Sequence, residues 1–402
     1  MSTSQYGEGY QPNHWAQKAA NLKPAILKRS HDTDQLRRLP DATLSDLNTT
    51  GLLSALTPKK FGGGELPLSK FFDVVLELGK ADGSVAWTYA VLSCGSWMVA
   101  TFFEETVTRD VLSSSNPLTA AVMSPTAIKA RRVDGGMLIE EGTWTFNSGI
   151  QHAGWDIIGI PLFDQDGARV DLLFAIVPVS QLILIDDWHS MGLRGSGSSS
   201  VRTENLFVPD VRLASQNSLL VEKYPQHDGT RAPLYRLPAL PTIVISMASP
   251  LIGIANGALE DFFVAATKRQ TTKSAHQNQH KPATANQAVE DAAAKINAAE
   301  IITRRSIATL EALADTDAHA TVEQKARMWR DACFASRLTW EAIDLLANAT
   351  GGNFVREENP LSRRWRDVRT GVSHAGLNPA TAYESFGRIL FDLPSNTPLL
   401  PS

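Results

Sequence analysis

Cysteine is nearly missing from this chain: Cys94 and Cys333 are the two among 402 residues. Two thiols exclude a disulfide framework and a thiolate metal cluster. A dominant charge sign is missing as well. The 38 basic and 42 acidic residues leave a net charge of -4, which offers no electrostatic footprint for nucleic acid or an anionic membrane. No apolar run reads as reaching the ~20 residues needed to cross a bilayer. The opening MSTSQYGEGYQPNHW is polar and lacks the charged-then-apolar order of a secretory signal, so a cytoplasmic protein is expected. GxGxxG, a Lys-bearing P-loop, HExxH, an EF-hand loop and GxSxG are all absent. That argues against a nicotinamide Rossmann enzyme, and any redox cofactor must be held by another fold.

What is present is an ordinary globular composition, 43% hydrophobic and 20% charged, with ample core. Three zones follow one another. From about Leu36 to Ser115 the patterns are helical: Asp41 is placed to cap one helix, and apolar residues recur at helical spacing over 70–78 and 85–103. KADGS separates the last two, with Ser84 placed to cap the second. Over 116–210 the period shortens to β-rich runs such as GMLIEEGTWTF, WDIIGIPLF and SVRTENLFVP. Asp134-Gly135 and Asp166-Gly167 are turn signals between them. Strands at this spacing without intervening helices predict a small sandwich or barrel.

A proline-bearing linker (Pro225, Pro233, Pro238, Pro241, Pro250) precedes a return to helices. The stripe from Val322 to Ala347, stepping by four and three, is the seam of a helix packed along its length in a bundle. Cys333 lies on that seam and reads as a small buried residue rather than a reactive thiol. The polar stretch 271–286 reads as a connection. The expected fold is therefore α+β, mostly α: a helical domain over 1–115, a β-sandwich or barrel over 116–228 and a helical bundle over 229–402.

Two separated motifs sharpen the reading. MGLRGSGSSSV…NLFVP lies in the β zone, and GGNF…PLSRRWRDVR closes the bundle. With the zone order, they resemble the acyl-CoA dehydrogenase superfamily over nearly the whole chain. In dehydrogenases of that superfamily an Arg-Asp is followed at fixed distance by Tyr-Glu-Gly, whose glutamate removes the α proton of the thioester. Laying Arg366-Asp367 on the Arg-Asp puts His374-Ala375-Gly376 on that triplet, and an alanine cannot serve as a base. VSHAGLNP with AYESFGRIL instead resembles the two-component flavin monooxygenases on the same fold. That group includes the oxygenase components of 4-hydroxyphenylacetate hydroxylase and dibenzothiophene monooxygenase.

The resemblance implies reduced FMN or FAD supplied by a separate reductase, reaction with O2, and oxygen transfer from a C4a-hydroperoxyflavin to a small aromatic molecule. It also implies a homotetramer. His374 takes the acid/base role near the substrate, and Asn378 and Arg369 orient it or the flavin. Within GTWTFNSGIQHAGW the resemblance puts Ser148 at the reacting ring of the flavin, with Trp144 and Trp155 as walls. Ser124 is a second polar contact, Arg194 and Ser196 edge the cofactor, and Arg269 reaches flavin phosphate from a neighbouring subunit. Where phenol-hydroxylating relatives carry His-Pro-Trp, this chain has Gly95-Ser96-Trp97. The two small residues are expected to leave room for an indole, a polycyclic aromatic or an amine. The alternatives are an amine or sulfur oxygenase, an acyl-CoA dehydrogenase with a displaced base such as Glu384, and a silent scaffold.

Overall fold

The computed structural model of the chain describes residues 13–225, 231–268 and 283–401. Helix α1 (His14–Leu36) starts where the Asn13 side-chain oxygen accepts from the Trp15 and Ala16 amides at 2.9 and 3.1 Å. This helix has no counterpart in the sequence reading, which opened the helical zone at Leu36. In α2 (Asp41–Thr49) the capping residue is Pro40, and Asp41 lies in the first turn without a cap bond. There it still complements the helix dipole. Helices α3 (Leu68–Ala81), α4 (Gly83–Phe102) and α5 (Glu105–Leu112) complete the zone. Asp82, not Ser84, caps α4: its Oδ1 accepts from the Val85 amide at 3.1 Å.

The β zone forms two four-stranded sheets. The first has the order β1 (Thr119–Val122), β4 (Trp155–Phe163), β5 (Arg169–Pro178), β8 (Leu213–Ser215), with β1 parallel to β4. The second runs β2 (Ala127–Val133), β3 (Gly136–Trp144), β7 (Ser200–Pro209), β6 (Ile183–Ile185), all antiparallel. Gly135 (φ 74) and Gly167 (φ 80) take the left-handed conformation that both Asp-Gly turns require. Inward residues of the two sheets, including Ile139, Ile158, Ile160 and Val201, make a shared apolar layer, as expected of a sandwich.

After α6 (Gln216–Leu220) come α7 (Ala239–Lys268), α8 (Ala283–Asp315), α9 (Val322–Thr350), α10 (Pro360–Gly371) and α11 (Pro379–Leu390). Two expectations are corrected. Pro241 and Pro250 lie inside α7 rather than in a linker. The Ser246 and Ser249 hydroxyls bond back to the Thr242 and Ile245 carbonyls at 2.8 and 2.6 Å in the turn before Pro250. Residues 283–286 of the expected connection are the start of α8. The third correction concerns length: α4 and α7 are long and apolar enough to span a bilayer. Yet 94% and 83% of their apolar windows are buried inside the protein, so both are core helices.

Candidate active site

The site grows from the start of α4. Because Asp82 makes the cap, the Ser84 hydroxyl is left to accept from the Gly195 amide at 3.1 Å. Two further hydrogen bonds hold the 191–200 loop. The Leu193 amide donates to Asp367 Oδ1 of α10 at 2.6 Å, and the Arg194 Nε donates to the Asp34 carbonyl of α1 at 3.2 Å. A Cβ on Gly192 would stand 2.1 Å from the Arg366 carbonyl oxygen, so only glycine lets the loop lie on α10. Burial pushes the enclosed Asp367 carboxyl up to about 7. Leu193 (φ 49) and Gly197 (φ 54) bracket a tight 3-10 turn at Arg194–Ser196. The stretch is thus a fastened turn and not a phosphate cradle.

That loop meets the segment after β3. The Gly149 amide donates to the Ser196 carbonyl at 2.8 Å and the Asn147 amide to the Ser199 carbonyl at 3.3 Å. The register sets Ser148 Oγ 2.7 Å from Ser198 Oγ, itself 2.6 Å from Ser196 Oγ. Trp87 of α4 donates its indole N–H to Ser148 Oγ at 3.0 Å. Beneath the segment, Asn147 Nδ2 donates to Asp156 Oδ2 at 2.7 Å. Both side chains are fully buried, and their remaining oxygens have no partner. Burial pushes the Asp156 carboxyl up to about 7.

His374 approaches Trp87 from the other side. It follows the end of α10 and caps a 3-10 turn over Ala375–Leu377. The Gly376 amide donates to His374 Nδ1 at 3.0 Å, while the Gly376 carbonyl accepts from the Trp329 indole of α9 at 2.8 Å. The imidazole and Trp87 rings lie 6.1 Å apart at 56°. Burial in apolar surroundings pushes the imidazole down to about 4, so it is neutral near pH 7.

The structure therefore brings Ser148, Ser196 and His374 to one place, joined through Trp87 and Ser198. Neither of those two was singled out from the sequence. Ser124 is exposed on the bend after β1. Its neighbour Thr126 donates its amide to the Thr143 carbonyl at 2.8 Å, which lays the bend along the β3 end that leads to Ser148. Two residues before Ser148, Phe146 is 69% exposed and meets Trp188 edge-on at 6.1 Å.

Several expectations are corrected. Trp144 has no exposed surface and gives its N–H to the Gly159 carbonyl at 2.9 Å, so it is β core and not a cofactor wall. Trp155 is likewise buried and bonded to Ser114 Oγ at 3.0 Å. Gly95 leaves no room for substrate, because its Cβ position lies 1.9 Å from the Thr119 carbonyl oxygen of β1. Ser96 and Trp97 are buried, and Trp97 donates to the Leu234 carbonyl at 2.8 Å. Asn378 spends its side-chain oxygen capping α11 through the Ala380 amide at 3.0 Å. Arg369 lies over Trp340, 5.3 Å from the ring centroid. Glu384 is exposed and pairs with Arg388 at 3.9 Å, which removes it as a buried base. Arg269 lies outside the described residues. Cys94 and Cys333 are buried and free, and burial pushes both thiols up to about 12. Among the described residues no group of three or more His, Cys, Asp or Glu is arranged for a metal ion.

Residues 18–114 match the acyl-CoA dehydrogenase N-terminal domain and residues 245–379 its C-terminal domain. The chain is 30% identical over 382 residues to the flavin-dependent monooxygenase, oxygenase subunit HsaA, of Mycobacterium tuberculosis, covering 93% of this chain and 94% of the relative. Superposition on the 3-HSA hydroxylase from Rhodococcus sp. RHA1 gives a TM-score of 0.90 at 28% identity, over 96% of this chain and 99% of that one. XiaF from Streptomyces sp., solved in complex with FADH2 and glycerol, gives a TM-score of 0.87 at 27% identity, over 96% of each chain.

Proposed function

The chain belongs to the flavin-dependent monooxygenases of the acyl-CoA dehydrogenase fold, and on that premise we propose that it is the oxygenase component of a two-component system, hydroxylating an aromatic substrate with reduced flavin and O2. The observation that carries this reading is the meeting of Ser148 and His374 on two sides of Trp87. Support for a flavin here is the exposed ring of Phe146 two residues from the uncharged Ser148 hydroxyl, which suits a flat conjugated ring. Bound reduced flavin would supply the two electrons that activate O2, from which one atom goes to the substrate and the other leaves as water.

The chain's own residues bind, orient and exclude water. Ser148 and Ser124 hold the flavin, Arg194 and Ser196 shape the turn against which the Ser148 segment is fastened, and His374 stands beside the substrate. FMN and FAD both fit an uncharged ring site of this kind, and Arg269 is assigned to flavin phosphate in a neighbouring subunit. A separate reductase is part of the proposal, supported by the relative's designation as an oxygenase subunit. A cytoplasmic homotetramer divided near residues 115 and 228 completes it. Exposed Val264, Ile301, Leu390 and Phe391 support self-association by offering apolar surface.

The test is anaerobic titration with reduced and oxidised FMN and FAD, followed by mixing with oxygenated buffer while absorbance is recorded. Tighter binding of reduced flavin and an oxygen-dependent transient are expected, both weakened in Ser148→Ala. Tight oxidised FAD, bleached by an acyl-CoA ester, would move the protein to the dehydrogenase branch.

A further inference from the structure

The side of His374 that faces away from the site limits what the other side can do. A neutral imidazole carries one N–H, and the position of that proton follows from the partner of each nitrogen. At Nδ1 the partner is the Gly376 amide, a donor 3.0 Å away. The ring must meet it with a lone pair, which assigns the proton to Nε2. Gly376 is not free to turn aside. Its carbonyl accepts from Trp329 Nε1 at 2.8 Å, with the Cys333 thiol at 3.8 Å. The 3-10 turn around it is closed by Leu377 N–H to the His374 carbonyl at 2.9 Å and Asn378 N–H to the Ala375 carbonyl at 3.2 Å.

Resting on the reading that His374 stands beside the substrate, we propose that it is a fixed, neutral hydrogen-bond donor through Nε2 and not a proton-accepting base. Its ligand is an acceptor oxygen on the aromatic substrate, as in a phenolate or an aryl carbonyl. To act as a base, Nε2 would first have to lose its proton to Nδ1, where that proton would face the Gly376 N–H and the existing hydrogen bond would be lost. Doubly protonating the ring meets the same N–H and adds a charge with nothing to balance it. The elements packed here present no charge to the ring: α4 offers Trp87, α9 offers Trp329 and Cys333, and Met247 of α7 lies against Gly376. Among the described residues no charged side chain acts on it, and burial alone shifts its titration, downwards to about 4. The orienting carboxylate that ordinarily raises the basicity of a catalytic histidine is therefore missing from its usual place on Nδ1.

The first test needs neither flavin nor substrate. Long-range proton–nitrogen NMR of 15N-histidine-labelled protein, with His374 assigned by comparison with His374→Asn, reports which nitrogen carries the proton. A protonated Nε2 and bare Nδ1, unchanged between about pH 5.5 and 8.5, are expected well above the depressed titration. An Nδ1–H tautomer or an imidazolium in that range overturns the proposal.

The second test separates donor, cap and base. His374→Gln keeps an uncharged N–H donor of similar reach, whereas His374→Asn keeps the cap on Gly376 and loses the donor. The rate at which a phenolic probe such as 4-hydroxyphenylacetate consumes the oxygen-dependent transient on reduced flavin should stay close to the parent value in the glutamine variant, without pH dependence. It should fall by about tenfold in the asparagine variant, the worth of one hydrogen bond. The reverse order assigns His374 to capping alone. Equal loss in both variants, with a pH-dependent parent, assigns it to base catalysis. If the parent shows no transient, the flavin reading fails while the NMR result still decides the tautomer.

Discussion

Trp87 has one hydrogen to donate and gives it to Ser148, while the indole face lies against His374. Trp87→Phe keeps an aromatic ring, deletes that donor and removes part of a buried side chain. The expected cost to folding is about 2–3 kcal/mol, one buried hydrogen bond plus the space the smaller ring leaves. Flavin should respond more specifically, because Ser148 then has one fixed neighbour, Ser198, in place of two. Reduced-flavin affinity measured by anaerobic titration should fall by about tenfold while the far-UV signal is unchanged. An unaltered affinity would separate Trp87 from the cofactor. Ser148 and His374 were reached through the resemblance that GTWTFNSGIQHAGW and VSHAGLNP carry to the flavin monooxygenases. Trp87 was not. It lies in a helix that is apolar on every side, so no period marks one tryptophan as facing a site, and its partner lies 61 positions away. Asn147 and Asp156 were hidden for the same reason, as a polar pair inside strand-like sequence whose meaning is set by burial.

At the scale of elements, the approach of α4 to β1 decides where the site stands. Gly95 lets the helix pass the Thr119 carbonyl so closely that a Cβ would lie 1.9 Å from its oxygen. Gly95→Ala must therefore push the helix off the strand and is expected to cost several kcal/mol, about the range of core overpacking or more. Gly387→Ala on α11 is the matching control, since nothing lies within 4 Å of its Cβ position. There a helix-interior glycine is replaced by the best helix former, and stability should rise by about 0.5–1 kcal/mol. Thermal unfolding of both variants checks the pair, and equal effects would refute the assignment of Gly95 to close packing. The same contact shows the limit of sequence reading. A small residue in a helix signals either room or closeness, and only the non-local strand tells which. Elements with their own local signals fared better: both Asp-Gly turns and the long seam of α9 needed no distant partner to be recognised. Pro250 misled because its cost falls on a helix that α3 and α9 bury on both sides, and tertiary packing outweighed the local penalty.

For the molecule as a whole, four buried titrating groups set opposing pH slopes. Burial raises Asp156 and Asp367 to about 7 and lowers His152 and His374 to about 4. The raised carboxyls bind protons in the folded state that the unfolded chain has released above about pH 3.9, so their contribution weakens as pH rises towards 7. The depressed histidines are the mirror case. Below about pH 6.5 the unfolded chain takes up protons that the folded state refuses, so their contribution weakens as pH falls towards 4. Near pH 5 the folded state holds two of these protons on the aspartates and the unfolded state holds two on the histidines. The slopes cancel there, and single variants should unmask them with opposite signs. Asp156→Asn removes one folded-state proton, so its stability should rise with pH relative to the parent by about 1.4 kcal/mol per unit. His152→Gln keeps an acceptor for the Leu39 amide that His152 Nε2 now serves at 3.2 Å and removes one unfolded-state proton. Its stability should fall with pH, relative to the parent, by the same amount. Urea unfolding of the three proteins between about pH 4.5 and 6 reads the difference directly, and because every other carboxylate is shared, parallel curves would mean that Asp156 is ionised and His152 charged within the fold.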